Sequence, residues 1–179
     1  MQLRPLEVEY LCRARHDNLS NSSPRVLERI RRITGQAPPF YRADIRDESA
    51  VRDVVSREQP GAVLHFAGLK AVGESVEQPE RYQDNNVNGT RSLLDVMAEA
   101  GLRRIVFSSS ATVYGEPVYL PFDEAHPCQP TNVYGRTKHF AEEILRDWQR
   151  ATPGSAVTLL MRRSYLAFFE DSETGRRAT

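Results

Sequence analysis

A tyrosine and a lysine four residues apart are the pair in this sequence best suited to chemistry. Tyr134 and Lys138 open a helical pattern that continues through HFAEEILRDWQRA. Residues at this spacing lie on one face of a helix, about one turn apart. A neighbouring ammonium favours the phenolate and lowers the pKa of a tyrosine. The pair is therefore a candidate general base, and the upstream Ser110 is a candidate to share the proton.

Two elements must position these groups. The apolar residues 105–107 predict a buried strand, and the three serines 108–110 follow where that strand reaches the edge of a sheet. A loop containing several prolines then leads to a helix predicted over residues 132–151. Along the rest of the chain, strands and helices alternate, which predicts an α/β fold with a parallel sheet flanked by helices.

Four longer sequence segments contain or precede the pair: HFAGLKAVGESV at 65–76, DNNVNGT at 84–90, FSSSATVYG at 107–115 and VYGRTK at 133–138. Together with Tyr-x-x-x-Lys and the upstream serine, they resemble the UDP-glucose 4-epimerases of the extended short-chain dehydrogenase/reductase family. The resemblance runs from about Asp17 to Leu160. It implies a Rossmann-like domain, tightly held NAD, and interconversion of UDP-glucose and UDP-galactose through a 4-keto sugar.

The resemblance assigns roles to the candidate catalytic residues. It implies that Tyr134 removes the proton from the sugar 4-hydroxyl and that Ser110 shares this proton. Lys138 would hold the nicotinamide ribose and lower the pKa of the tyrosine. The chain has 22 arginines and only two lysines, Lys70 and Lys138, both inside these segments. Arginine does not replace a compact, titratable ammonium, so this bias supports a required amine at Lys138.

The same resemblance assigns the residues that would bind NAD, from the adenine ribose to the nicotinamide: Asp17, Asn18, Asp44, Ile45, Phe66, Ala67, Gly68, Lys70, Asn85, Tyr134 and Lys138. An acidic residue such as Asp17 accepts hydrogen bonds from the adenine ribose. Small residues such as Ala67 and Gly68 let the backbone approach a cofactor closely. Structural readings stay open beside these: Asp17 in a helix-capping cluster, Asp44 as a turn residue, and His65 as a core histidine.

Both ends of the sequence depart from the family pattern. Residues 1–16 form an atypical segment without the family's Gly-rich phosphate loop, since the first glycine is Gly35. Residues 17–163 correspond to a partial NAD-binding domain, and residues 164–179 read as an atypical, disordered tail in place of a substrate domain. Without a central first strand, either Leu6–Leu11 fills the vacancy or the sheet splits. The sequence thus predicts a chain that is inactive by itself.

The amino-acid composition argues against several other classes of protein. The chain has 24 basic and 24 acidic residues, so no charge imbalance calls for nucleic acid or an anionic membrane surface. No apolar run approaches the ~18 residues that span a bilayer. Cys12 and Cys128 are too few for a disulfide framework and lack metal-ligand spacing, which favours free thiols and no metal site. We expect a cytoplasmic protein, and the resemblance adds a possible homodimer.

Two alternatives stand beside the epimerase reading. A nucleotide-sugar 4,6-dehydratase would carry an Asp-Glu pair just after the serine, but Ala111 and Thr112 stand there, which disfavours dehydration. The chain could also be a non-catalytic remnant or a binding module that pairs with another chain, because both the phosphate loop and the substrate half are missing from the pattern.

Overall fold

Strands and helices alternate along residues 14–161, which are the residues that the computed structural model describes. The strands are β1 (Arg15–Asp17), β2 (Phe40–Arg42), β3 (Val63–His65), β4 (Arg104–Ser108) and β5 (Ala156–Leu160). The helices are α1 (Arg25–Thr34), α2 (Glu48–Glu58), α3 (Val72–Glu77), α4 (Pro79–Tyr82), α5 (Gly89–Glu99) and α6 (Val133–Ala151). The possible strand at Leu6–Leu11 and the tail predicted at 164–179 lie outside the described residues.

The described strands form two separate parallel sheets. β1 pairs with β2, with Arg15 opposite Phe40, and β3, β4 and β5 form a second sheet in that order. The predicted α/β class with a partial parallel sheet is confirmed. Within residues 14–161 the sheet is split between β1 and β3, at the place where the sequence pattern lacks a central strand. Among the described strands, β1 pairs only with β2 and β3 only with β4, so each has one edge without a described partner.

Local signals in the sequence set several helix ends. The Asp47 side chain accepts a hydrogen bond from the Ala50 amide at 3.1 Å and caps α2, as the Asp-Glu-Ser cluster predicts. Asn132 caps α6 in the same way, accepting from the Gly135 amide at 2.7 Å. At the end of α1, Gly35 takes a left-handed conformation with φ of 77°.

The helical region from residue 79 to residue 99 is not one continuous α-helix. A π-helical segment, Gln83–Asn88, separates α4 from α5. Such wide turns are energetically poor and persist where side-chain contacts hold them. Here the buried Asn86 side chain accepts from the Leu69 amide at 2.8 Å and donates to the Leu69 carbonyl at 2.9 Å. These contacts between distant residues give no periodic signal in the sequence.

The main apolar core lies between the β3–β4–β5 sheet and helices α2, α5 and α6. Its fully enclosed members include Val96, Met97, Ile105, Phe107 and Leu145. The start of α5 packs closely on the loop after β2 because residue 89 is a glycine. A Cβ at Gly89 would lie only 2.8 Å from Cγ2 of Ile45. This core fixes β4 against α6, the two elements that carry the candidate catalytic residues.

His65 is part of this core, as the structural reading of the sequence expects. Its side chain is buried, its Nε2 lies 3.0 Å from the Thr90 hydroxyl, and its ring contacts Phe107. Burial, with a smaller contribution from the charge of Lys138, lowers the pKa of His65 to about 3. The folded protein therefore holds His65 neutral, whereas the unfolded chain protonates it below about pH 6.5.

This difference predicts a loss of stability in mild acid. Between pH 6.5 and 3 the unfolded chain binds more protons than the folded one, so the free energy of unfolding falls as the pH falls. From this group alone, urea unfolding should give a value about 2 kcal/mol lower at pH 5 than at pH 7. His65→Gln should remove most of that difference. An equal pH dependence in both proteins would contradict the assignment.

Candidate functional site

The first turn of α6 places Tyr134 in a tight setting. Its amide donates to the Ser75 hydroxyl at 3.2 Å, and its side chain packs against Leu69 and Tyr82. Only 9% of the residue is exposed. Lys138 follows one helical turn later, so the predicted arrangement of these two residues on one helix is present in the structure.

Lys138 is the buried cation of the site. It is 5% exposed, its ammonium donates to the Ser108 carbonyl at 2.9 Å, and Nζ lies 4.6 Å from the centre of the Phe107 ring. Burial lowers the pKa of Lys138 to about 8, while the nearby Glu142 opposes that shift. The amine is therefore mainly charged at neutral pH, although its pKa lies only slightly above neutral pH.

Ser110 lies at the start of a short 3-10 turn, Ala111–Val113, directly after β4. Its hydroxyl oxygen accepts from the Thr112 hydroxyl at 2.9 Å and from the Thr112 amide at 3.3 Å. Ser110 is the acceptor in both contacts, which use lone pairs of its oxygen and do not use its O–H as a donor. The neighbouring Ser109 is instead buried and donates to Glu142.

Gly135 is a residue of the site that sequence reasoning missed. A Cβ at Gly135 would lie 2.6 Å from the Thr112 carbonyl oxygen, so only glycine lets the first turn of α6 pack directly on the 3-10 turn. The sequence signal for it was its position directly after Tyr134, inside the Tyr-x-x-x-Lys motif. The motif spacing alone does not explain why this position needs a glycine.

The loop after β3 lies against the same group. Besides holding both backbone groups of Leu69, Asn86 donates to the Thr137 hydroxyl of α6 at 3.2 Å. A Cβ on Gly68 would lie 3.4 Å from the Lys138 ammonium, so the loop backbone runs close to this cation. Asn86 therefore fixes this loop against α6.

A cavity of about 780 Å³ lies between the two sheets. Its lining includes residues of β1, α2 and β3, so the cavity occupies the gap between the two sheets. Seven of the residues predicted to bind NAD line it: Asp17, Asn18, Ile45, Phe66, Ala67, Gly68 and Asn85. Phe66 is 60% exposed although it directly follows a strand. The other four predicted residues are not among the lining residues of this cavity: Asp44, Lys70, Tyr134 and Lys138. Of these, Lys70 is exposed to solvent.

Asp17 lines the cavity at the end of β1, and Asp44 lies in the loop after β2. Asp17 accepts from the Leu19 amide at 2.7 Å and from the Ser22 hydroxyl at 2.9 Å, so it holds the turn that leads to α1. It does not cap that helix, whose N-cap is Pro24 and which has no side-chain cap. Asn18 donates to Asp44 at 2.8 Å.

Arg46 holds the Asp44 carboxylate through both oxygens, each at 2.9 Å. The guanidinium keeps the pKa of Asp44 well below its usual range, and it also bonds Asp84 in the π-helical segment at 2.5 Å. Asp44 is therefore already committed to an ion-pair network that ties the end of β2 to this segment.

The described residues fit the two ends of a dinucleotide better than its centre. A carboxylate at the β1 end suits a ribose, and the small side chains of Ala67 and Gly68 leave room for a cofactor beside the loop after β3. Residues 14–161 contain no Gly-rich loop at a helix start that would hold a pyrophosphate.

Residues 14–161 contain neither a metal-binding cluster nor a membrane-spanning helix. No group of three or more His, Cys, Asp or Glu side chains there is arranged to hold a metal ion. Over the same residues, no helix has the length and apolar character needed to cross a membrane. Cys128 is a free thiol, and Cys12 lies outside the described part of the chain.

Comparison with known proteins gives the family. The protein-family model described as GDP-mannose 4,6 dehydratase matches residues 7–165. The chain belongs to this family. Its match to UDP-glucose 4-epimerase of Neisseria meningitidis serogroup C is 51% identical over 145 residues, and that of Bacillus subtilis is 51% identical over 144 residues. Each match covers 80% of this chain, and they cover 43% and 42% of the respective relatives.

Solved structures agree with these matches. UDP-glucose 4-epimerase from Bifidobacterium longum, in complex with NAD+ and UDP, aligns with a TM-score of 0.81 and 48% identity, covering 83% of this chain and 44% of that protein. The resemblance to UDP-glucose 4-epimerases is thereby confirmed. The chain spans about 43% of the length of the curated relatives it matches. The family name mentions a dehydratase and the matched relatives are epimerases, so the reaction has to be argued from the site.

Proposed function

We propose that residues 17–163 are the NAD-binding part of a UDP-glucose 4-epimerase, which interconverts UDP-glucose and UDP-galactose once its remaining parts are present. One observation carries the proposal: the ammonium of Lys138, one turn after Tyr134, bonds to the strand end that leads to Ser110. This contact links all three candidate catalytic residues through one helix and one strand end.

Each catalytic residue has a defined task in this proposal. Tyr134, as phenolate, takes the proton from the sugar 4-hydroxyl, and Ser110 donates a hydrogen bond to the same sugar oxygen. Lys138 favours the phenolate through its charge. Burial of Tyr134 and Lys138 reduces contact with water, which strengthens the electrostatic interaction between them. Tyr134 later returns the proton after the 4-keto sugar has presented its other face.

NAD, when bound, supplies the hydride acceptor and donor for sugar C4. We assign its adenosine end to Asp17, Asn18, Asp44 and Ile45, and its nicotinamide end to Phe66–Gly68, Lys70, Asn85, Tyr134 and Lys138. Because residues 14–161 lack a Gly-rich phosphate loop, we expect the chain to bind NAD weakly or not at all by itself.

Dehydration is the weaker alternative. A 4,6-dehydratase needs an additional acid and base to remove the 6-hydroxyl and the C5 proton. Ala111 and Thr112 follow Ser110 in the 3-10 turn, and neither side chain carries a carboxylate. A non-catalytic remnant or binding module remains the alternative from another class, and the activity of the completed enzyme distinguishes it.

The family resemblance also motivates a homodimer and a place in cytoplasmic galactose metabolism. On α6, Phe140 is 46% exposed beside a shallow depression that includes Val133 and Pro79. An exposed apolar group of this kind suits helix packing between two copies of the domain. Size-exclusion chromatography with light scattering would measure the mass directly.

The test is a chimera, here called the completed enzyme, in which residues 17–163 replace the matching residues of the Neisseria meningitidis relative. We expect it to convert UDP-galactose to UDP-glucose, while the 179-residue chain alone shows no turnover in the same assay. A correctly folded chimera without activity would support the remnant hypothesis instead.

A further inference from the structure

A buried carboxylate lies one turn beyond Lys138 on α6. Glu142 has no exposed surface, and burying a charged group is costly unless it is paired and hydrogen-bonded. Its carboxylate accepts a short hydrogen bond from the Ser109 hydroxyl and an ion-pair contact from Arg146 at 2.8 Å. The proposed catalytic roles do not use this group, although the structure holds it from two sides.

Lys138 and Glu142 form hydrogen bonds with two consecutive residues at the end of β4. Lys138 donates to the Ser108 carbonyl, and the next residue, Ser109, donates to Glu142. Ser110 follows directly. Two side chains one turn apart on α6 thus fix the backbone that leads to the catalytic serine against the helix that carries the catalytic tyrosine.

Several titratable or charged groups lie near Lys138 or near its neighbour Glu142. The helix α6 itself carries Tyr134, Glu142 and Arg146, which pairs with Glu142. Strand β3 contributes His65, and the loop before α6 contributes Cys128, which lies near Glu142. His65 is neutral at pH 7 because burial lowers its pKa to about 3. Cys128 is also neutral, because burial and then Glu142 raise the pKa of its thiol. Glu142 is therefore the neighbour whose charge favours the ammonium.

We propose, resting on the function proposed above, that Glu142 is a positioning residue for the reaction. Its carboxylate keeps the Lys138 amine charged and, through Ser109, holds the strand end that presents Ser110. Lys138 in turn acts on Tyr134. Glu142 thereby supports the general base from two turns away without touching substrate.

The two-lysine composition allows a direct test. With lysine labelled by ¹³C at Cε, the protein gives two side-chain signals, of which exposed Lys70 serves as the internal reference. We expect Lys138 to titrate near pH 8 in the unaltered protein. In Glu142→Gln, which keeps the shape and removes the charge, its pKa should fall by about one unit, a tenfold rise in acid dissociation. Glu143→Gln, an exposed neighbour on the same helix, is the matched control and should leave Lys138 unchanged.

The remaining outcomes also decide the proposal. A Lys138 signal that titrates alike in the unaltered protein and in folded Glu142→Gln would overturn it. If Glu142→Gln does not fold, Arg146→Gln takes its place: removing this half-exposed cation should leave Glu142 more available to Lys138 and raise the pKa of Lys138. No rise there would equally refute the coupling.

A second readout ties the coupling to catalysis and separates the two proposals. In the completed enzyme, Glu142→Gln should make turnover decline from a pH about one unit lower, in step with the lysine titration. The titration itself needs neither NAD nor substrate. A shifted lysine in an inactive chimera would therefore reject the epimerase function while leaving the Glu142–Lys138 coupling intact. An active enzyme whose lysine does not shift would reject the coupling alone.

Discussion

Replacing Tyr134 with phenylalanine in the completed enzyme is expected to lower kcat by about 10²–10⁴-fold, the usual contribution of a positioned general base. The phenyl ring keeps the packing against Leu69 and Tyr82, so the fold and the site shape are retained. Because the proton is transferred only in the chemical step, KM for UDP-galactose should change little. Steady-state kinetics over a range of UDP-galactose concentrations measures both constants.

The matched control for this variant is Tyr119→Phe. Tyr119 lies in the exposed loop between β4 and α6, where its hydroxyl donates to Asp123 at 2.7 Å. Removing this hydroxyl deletes the same atom from a tyrosine outside the proposed site, and kcat should stay close to that of the parent enzyme. If Tyr134→Phe retained full turnover, the proton would have to leave through another group.

The second large effect is expected from Lys138→Met. Methionine preserves much of the apolar stem beside Phe107 and removes the ammonium one turn from the tyrosine. Without a neighbouring cation the phenol titrates nearer to its unperturbed pKa of about 10. The rising limb of the kcat–pH profile should therefore move to higher pH, with turnover at pH 7 reduced roughly tenfold for each unit of that shift.

The pH profile separates this electrostatic effect from simple damage to the site. A damaged site would lose turnover at every pH, whereas the proposed effect is partly recovered as the pH rises. Arg136→Met is the control, since it removes an exposed cation from the same helix two residues away. An unshifted profile in Lys138→Met would mean that the tyrosine does not depend on this charge.

Local patterns in the sequence were sufficient for the elements that carry the site. The Tyr134–Lys138 spacing placed both groups on one helix because the helical repeat is regular, and the Asp47 cap marked the start of α2 because capping involves only neighbouring residues. The apolar run before Ser110 predicted β4, and its observed bounds extend one residue beyond that run on each side.

Features that depend on distant packing could not be predicted in this way. Glu142 reads as one of many surface charges on an amphipathic helix, and only the approach of Ser109 from β4 shows that it is buried. The π-helical turn similarly depends on the contact between Asn86 and Leu69. β1 has no apolar alternation, yet it forms because β2 supplies a parallel partner.

The most direct test of the epimerase assignment follows the hydrogen at sugar C4. UDP-glucose carrying deuterium at C4 is incubated with the completed enzyme, and the products are analysed by NMR and mass spectrometry. An epimerase removes this hydrogen and returns it to the same carbon from the other face, so we predict UDP-galactose with the deuterium still at C4. A 4-keto-6-deoxy sugar with deuterium at C6 would show dehydration instead and contradict the account, as would UDP-galactose whose C4 deuterium had been lost to water.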